Sequence, residues 1–144
     1  MLLTAKILLT LATLGFSFVP AAVDSNNTHA TNPSWDPHAR FHVVWQVSSY
    51  VYVAFIGLYL IWSAGAEIWP LWLAFCIATA AYGGFWTAVL ARGMYGGRLI
   101  SKMNPVPDIN WKFGGKKFAT DANVTAFTLA VIVLLAGAAC LLKA

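Results

Sequence analysis

All three histidines of the chain fall in one stretch, Asn26-Asn27-Thr28-His29-Ala30-Thr31-Asn32-Pro33-Ser34-Trp35-Asp36-Pro37-His38-Ala39-Arg40-Phe41-His42. Imidazole changes charge near neutral pH and ligates first-row metals through either ring nitrogen, so the stretch gathers groups able to move protons or hold an ion. Three chemical readings compete. In the first, His38 or His42 acts as a general acid/base on a lipophilic substrate, tuned by Asp36 or Arg40. In the second, His38 and His42, one helical turn apart, hold a metal with His29 or Asp36 completing the set. No H-E-x-x-H is present and both cysteines are remote, so no residue is assigned to a metal on this basis. In the third, the histidines satisfy loop carbonyls and the motif is architectural.

These groups need a helix to align them. Asp36 can cap one, and Pro37 suits its first position, where the missing N–H costs nothing. From there His38, His42, Gln46 and Ser49/Tyr50 recur every three or four residues, a polar stripe about 18 Å long at about 1.5 Å per residue. Lipid disfavours such a stripe, so it is expected to face a bundle interior or a cleft. A partner wall is expected on a later helix. There Ala74/Ala78 and Ala80/Gly84 permit close approach, and Tyr82 and Trp86 offer a hydroxyl and an indole at helical spacing.

Composition says what surrounds these elements. The chain has 144 residues, of which 60% are hydrophobic and only 10% charged; the mean hydropathy is +0.70. Soluble domains carry about 25% charged residues, so the expectation is an all-α integral membrane four-helix bundle forming one domain over 1–144. Four segments, about 2–23, 41–64, 69–91 and 122–142, approach the ~20 residues that cross a hydrocarbon core. The first also fits a secretory signal, with Met1–Lys6 as a charged region, Ile7–Val19 as an apolar one and Pro20-Ala21-Ala22 at a cleavage site. Cleavage would leave three helices; retention is the favoured reading.

With four crossings, the histidine loop and the long basic loop 92–121 share one face of the membrane. Arg40, Arg92, Arg98, Lys102, Lys112, Lys116 and Lys117 lie on that face, against Lys6 and Lys143 on the other. The excess of cations places the loops in the cytoplasm and both termini outside. The basic loop carries five glycines (93, 96, 97, 114 and 115) with Pro105 and Pro107, so regular structure is expected to be broken there. Its Trp111, Phe113 and Phe118 interleave with lysines as headgroup layers select. Gly114-Gly115-Lys116-Lys117 lacks the spacing of a phosphate-binding loop. Membrane lipids are the expected partners of the loop. Nucleic acid is not, no cofactor is indicated, and a homo-oligomer is compatible with the pattern.

Thr28-His29, Asn32-Pro33, Trp35, Pro37-His38-Ala39-Arg40-Phe41-His42 and Gln46 together resemble the mark of a family of small four-helix membrane proteins in fungi and bacteria, T-H-x-x-N-P-x-W-x-P-H-A-R/K-F-H-x-x-x-Q. The match covers about twenty residues, with helix layout agreeing elsewhere. That pattern has proline where this chain has Asp36, which weakens a catalytic role for the carboxylate. The family brings no assigned activity with it. More loosely, the layout is similar to DoxX-like proteins and to the sterol-isomerase (EXPERA) superfamily, whose chemistry implies acid/base isomerisation of a lipid inside the bundle.

The leading expectation is therefore a polar pocket receiving a sterol, isoprenoid or quinone-like molecule. His38 and His42 would exchange protons with it as catalytic residues. Gln46 and Tyr50 would orient it, His29 would close over it, and Tyr82 and Trp86 would line the far wall. The alternative is a non-catalytic membrane protein, a metal or lipid binder or an accessory subunit.

Overall fold

A proline four residues from the far end of the first apolar segment decides its shape. The computed structural model describes residues 1–100 and 108–144, so Lys102, Pro105 and Pro107 of the basic loop lie outside the described residues. The first segment forms α1 (Leu2–Phe16) and α2 (Phe18–Asp24), one apolar rod bent at Ser17. Pro20 has no N–H to offer the Phe16 carbonyl, and such a gap bends a helix. Ser17 leaves helical geometry (φ −118°, ψ −77°), and its N–H reaches back only to Leu14, at 3.3 Å. Hydroxyls take up carbonyls near the bend: Thr13 donates to Leu9 at 2.8 Å and Ser17 to Thr13 at 2.6 Å.

Three further helices follow: α3 (Pro37–Ser63), α4 (Trp69–Ala91) and α5 (Ala122–Leu141). Four rods, counting α1 and α2 as one, are long and apolar enough to cross a membrane. The second begins four residues earlier than the hydropathy suggested, because Asp36 caps it, its carboxylate accepting the His38 N–H at 2.8 Å. Asp121 caps α5 in the same way, through Val124 N–H at 2.9 Å.

The bundle is built on α1. Ala5, Leu9, Ala12 and Phe16 are almost wholly buried and meet Ala54 and Ile61 of α3, Leu71, Ala74 and Ala78 of α4, and Leu134 and Leu141 of α5. Neighbours alternate in direction. Thr10 of α1 accepts a hydrogen bond from Trp62 at the far end of α3, while Phe16 lies edge-on to Tyr50 nearer its start. Leu9 opposes Gly137 of α5, and Gly15 opposes Ala130. The 25–36 loop and the 92–121 connection thus share one end of the bundle, and the termini share the other.

Most of the outer surface is also apolar: Leu3, Ile7 and Leu11 of α1, Phe55 and Ile56 of α3, and Leu129, Ile132 and Leu135 of α5 all point away from the core. Helices apolar on every side suit a lipid solvent.

The expectation of broken structure in the basic loop is corrected. Residues Ile109–Phe113 (β1) and Lys116–Thr120 (β2) pair antiparallel, Trp111 opposite Phe118 and Lys112 opposite Lys117. Gly114 and Gly115 carry φ of +55° and +77°. Two successive residues with positive φ make the turn that suits a hairpin's twist, and glycine enters that region without strain. The fold is therefore helical with one small two-stranded sheet, not helical throughout.

Candidate functional site

The loop before α3 explains most of its motif by local bonding. Asn26, Asn32 and Asp36 each accept the backbone N–H two residues on, from Thr28 (2.8 Å), Ser34 (3.0 Å) and His38 (2.8 Å). Asn and Asp favour these turns because a side-chain oxygen substitutes for a backbone acceptor. Asn32 is buried, and its amide also donates to the Thr28 carbonyl at 3.1 Å. The recurring Asn-x-Thr, Asn-Pro-Ser and Asp-Pro-His triplets are thus three successive turns.

His29 belongs to this framework. Its Nδ1 lies 2.8 Å from the Thr28 hydroxyl and 3.5 Å from an Asp24 carboxylate oxygen. Its ring stands edge-on to Trp35, with centroids 5.2 Å apart. It ties the end of α2 to the loop.

His38 and His42 form a separate pair. Their Nε2 atoms are 3.0 Å apart, the rings perpendicular with centroids 4.5 Å apart. Phe41 contacts both rings, and Trp45 lies over His42 at 5.7 Å. Neither aromatic was among the site residues expected from the sequence. Their spacing from His38, three and seven residues on, was the available sign that they flank the pair.

Further along, Gln46 donates to the Tyr50 hydroxyl at 2.9 Å. The polar row is therefore bonded in two steps, as its spacing implied, but it does not face inward along its length. His38, His42 and Gln46 are exposed, while Ser49 and Tyr50 are half-buried, Tyr50 against Phe16. The cause is geometric: each step of four residues advances about 40° beyond a full turn, so such a row winds around the helix. The buried face of α3 runs instead through Val47, Ala54, Gly57 and Ile61.

Tyr82 and Trp86 do not join the pair. Tyr82 is buried, its hydroxyl donating to the Ala12 carbonyl at 2.6 Å and its ring edge-on to Phe16 and Phe127. It bonds α4 to α1. Trp86 is half-buried against Phe85, which stacks on Phe127. Tyr50 and Tyr82 both stand edge-on to the Phe16 ring, so aromatics occupy the core there.

Two clefts lie elsewhere. One of about 140 Å³ is lined by Phe85, Val89, Arg92, Tyr95, Arg98 and Leu99; an open one of about 590 Å³ sits at the α3–α4 turn beside Glu67 and Trp69. Neither contains His29, His38, His42, Gln46 or Tyr50. His38 and His42 thus form an outward-facing imidazole pair with an aromatic surround, apart from both clefts. Among the described residues no third His, Cys, Asp or Glu joins the pair as a metal ligand, so His29 and Asp36 do not complete a set.

Imidazoles this close can share one proton, as donor and acceptor, or present two lone pairs to one ion. One ion about 2.05 Å from each nitrogen, with a right angle between its bonds, sets the nitrogens about 3.0 Å and the ring centres about 4.5 Å apart. A straight N–H···N bond of the same length places the ring centres about 5.2 Å apart. The observed separations of 3.0 Å and 4.5 Å, with the rings perpendicular, fit both a bent N–H···N bond and two nitrogens facing one ion at a right angle.

Comparison of the chain with protein-family models, curated proteins and solved structures finds no match.

Proposed function

We propose that this chain is a multi-pass membrane protein that binds a divalent transition-metal ion through His38 and His42 at the membrane surface, as a binder and not as an enzyme. The observation that carries the metal reading is the convergence of the two Nε2 atoms at 3.0 Å with ring centres 4.5 Å apart. Paired imidazoles suit zinc, copper or nickel and are poor donors for magnesium or calcium. Two positions or more stay open on such an ion, for water or for the same pair on a second copy.

Depth supports the placement. The 27 residues of α3 span about 40 Å, about 10 Å more than a hydrocarbon core. Exposed Trp45 and Trp62 stand about 25 Å apart along it, the spacing of two interfacial belts. His38 and His42 precede Trp45, on the headgroup side of that belt, where water and ions reach them.

The test is titration of the purified, detergent-solubilised chain with zinc or nickel. Saturable binding is expected, weakened about tenfold (about 1.4 kcal/mol) or more by His38→Ala or His42→Ala and unchanged by His29→Ala. Affinity is also expected to fall as pH falls, because only neutral imidazole offers a lone pair. Equal binding by wild type and the double variant would discard the site.

A second reading rests on a different observation: the row continues through Gln46 to Tyr50 and is flanked by Phe41 and Trp45 on the exposed surface. A lipophilic small molecule reaching α3 sideways from the bilayer would meet rings, an amide and the imidazoles in turn, with His38 and His42 exchanging a proton with it. Mass spectrometry of molecules co-purifying with wild type and with Gln46→Leu decides this: a specific lipophile lost from the variant supports it, and identical profiles end it.

A further inference from the structure

The hairpin 109–120 has one mainly aromatic face, one polar face and no extended contact with any helix. Cross-strand partners project to the same side of a sheet and neighbours alternate. One face therefore carries Ile109, Trp111, Phe113 and Phe118 together with Lys116 and Thr120, and the other carries Asn110, Ala119, Lys112 and Lys117. The apolar face is open, with Phe113 82% and Phe118 50% exposed. On the opposite face Lys112 and Lys117 are direct partners, a like-charge pairing that disfavours the hairpin in water. A lone two-stranded hairpin is marginal even without that penalty.

Its position supplies what is missing. The strand β2 ends at Thr120 and Asp121 already caps α5. Thr120 accepts hydrogen bonds from Trp111 Nε1 at 2.7 Å and from Thr125 of α5 at 2.8 Å, fixing the hairpin's base to the helix end. The end of α4, with Arg92 and Arg98, stands at the same end of the bundle. In a chain of four crossings, a hairpin rooted there rises from the bilayer surface itself.

We propose that this hairpin lies in the headgroup layer of the protein's own bilayer and selects anionic lipid, an inference that rests on the multi-pass reading. Trp111, Phe113 and Phe118 enter the acyl boundary, and Lys112, Lys116 and Lys117 meet lipid phosphates. Each strand, about 17 Å long, lies along the surface. Anionic headgroups remove the repulsion between Lys112 and Lys117, so charge on the lipid stabilises the hairpin as well as holding it down.

The experiment uses the full chain with Cys76 and Cys140 replaced by serine and an environment-sensitive dye on Phe113→Cys, reconstituted in nanodiscs. One set is phosphatidylcholine alone; the other contains about 30% phosphatidylglycerol, enough to give a strongly negative surface. In the anionic discs, blue-shifted emission and iodide quenching reduced several-fold are expected. Lys112→Glu with Lys117→Glu should return both to the neutral-disc values, and a dye on Ala66→Cys at the opposite turn should not respond. Equal water exposure in both discs overturns the proposal, as does equal shielding in both, which removes the lipid selectivity. Shielding that grows with the number of chains per disc overturns it in favour of a second copy. Release of the chain from native membranes by alkaline carbonate would overturn the multi-pass reading itself, a result independent of the dye.

Discussion

Tyr82 shows how a side chain with site-like chemistry becomes a structural bolt. Its hydroxyl crosses from α4 to the Ala12 carbonyl at 2.6 Å, and a Cβ on Gly15 would come within 2.7 Å of that oxygen. The glycine makes room for the hydroxyl, and the hydroxyl makes the glycine necessary. Tyr82→Phe is expected to cost about 0.5–1.5 kcal/mol by removing a buried interhelical hydrogen bond. Gly15→Ala alone should cost about 1–3 kcal/mol by overpacking. In the Tyr82→Phe background the same alanine meets only Ala130 Cβ at 3.6 Å and the ring at 4.0 Å. It should then be neutral, or stabilising by up to about 1 kcal/mol from helix propensity. Unfolding of the four proteins of this cycle in mixed detergent measures the coupling; additive losses would show that the hydroxyl and the glycine do not share one space. A tyrosine facing a small-residue stripe reads in sequence as a cavity wall, because sequence spacing does not reveal that Ala12 and Gly15 of another helix already fill the space.

At the scale of elements, the cap on α3 determines whether the imidazole pair exists. His38 sits in the first turn, where helices fray, and the Asp36 carboxylate holds its N–H. Losing an N-cap costs about 0.5–2 kcal/mol, enough to let His38 leave His42 without unfolding the helix. Asp36→Ala is expected to weaken metal binding several-fold with little change in helix content. Asp36→Asn, which keeps the accepting oxygen and drops the charge, should bind like wild type. If both variants lose affinity equally, the carboxylate acts by charge and not as a cap. This cap was legible, since Asp-Pro before an apolar run has a local cause, and the bounds of α4 and α5 were legible from hydropathy for the same reason. The row's winding follows from its spacing, but which part of it turns into the bundle was not legible, because that depends on which face of α3 meets α1. The hairpin was legible in part. Gly114-Gly115 between Trp111-x-Phe113 and Phe118 is a hairpin signal, but it sits among further glycines and prolines that point to irregular structure.

The whole molecule is asymmetric end to end. Thr10 against Trp62, Phe16 against Tyr50, and Leu9 against Gly137 fix the helix directions. The histidine loop and the hairpin therefore emerge together. That end carries Arg40, Arg92, Arg98, Lys102, Lys112, Lys116 and Lys117 in the sequence, and the other carries Lys6 and Lys143. Cations near helix ends resist translocation, so the basic end is expected in the cytoplasm. With α1 supplying Leu9, Ala12 and Phe16 to the core, its removal would strip the surface on which the other three helices pack. The first segment is therefore expected to persist in the mature chain. Both expectations meet in one measurement: single cysteines at Ser25 and Ala66, in a chain whose own cysteines are serine, probed on intact cells with a membrane-impermeant maleimide. Labelling at Ala66→Cys alone, on a chain whose intact mass includes residues 1–24, agrees with the charge asymmetry and with α1 as the bundle's centre. Labelling at Ser25→Cys would invert the topology and place the imidazole pair on the outside. A mass lacking the first segment would leave the three remaining helices without the rod they pack around, and the bundle would have to be rebuilt about another axis.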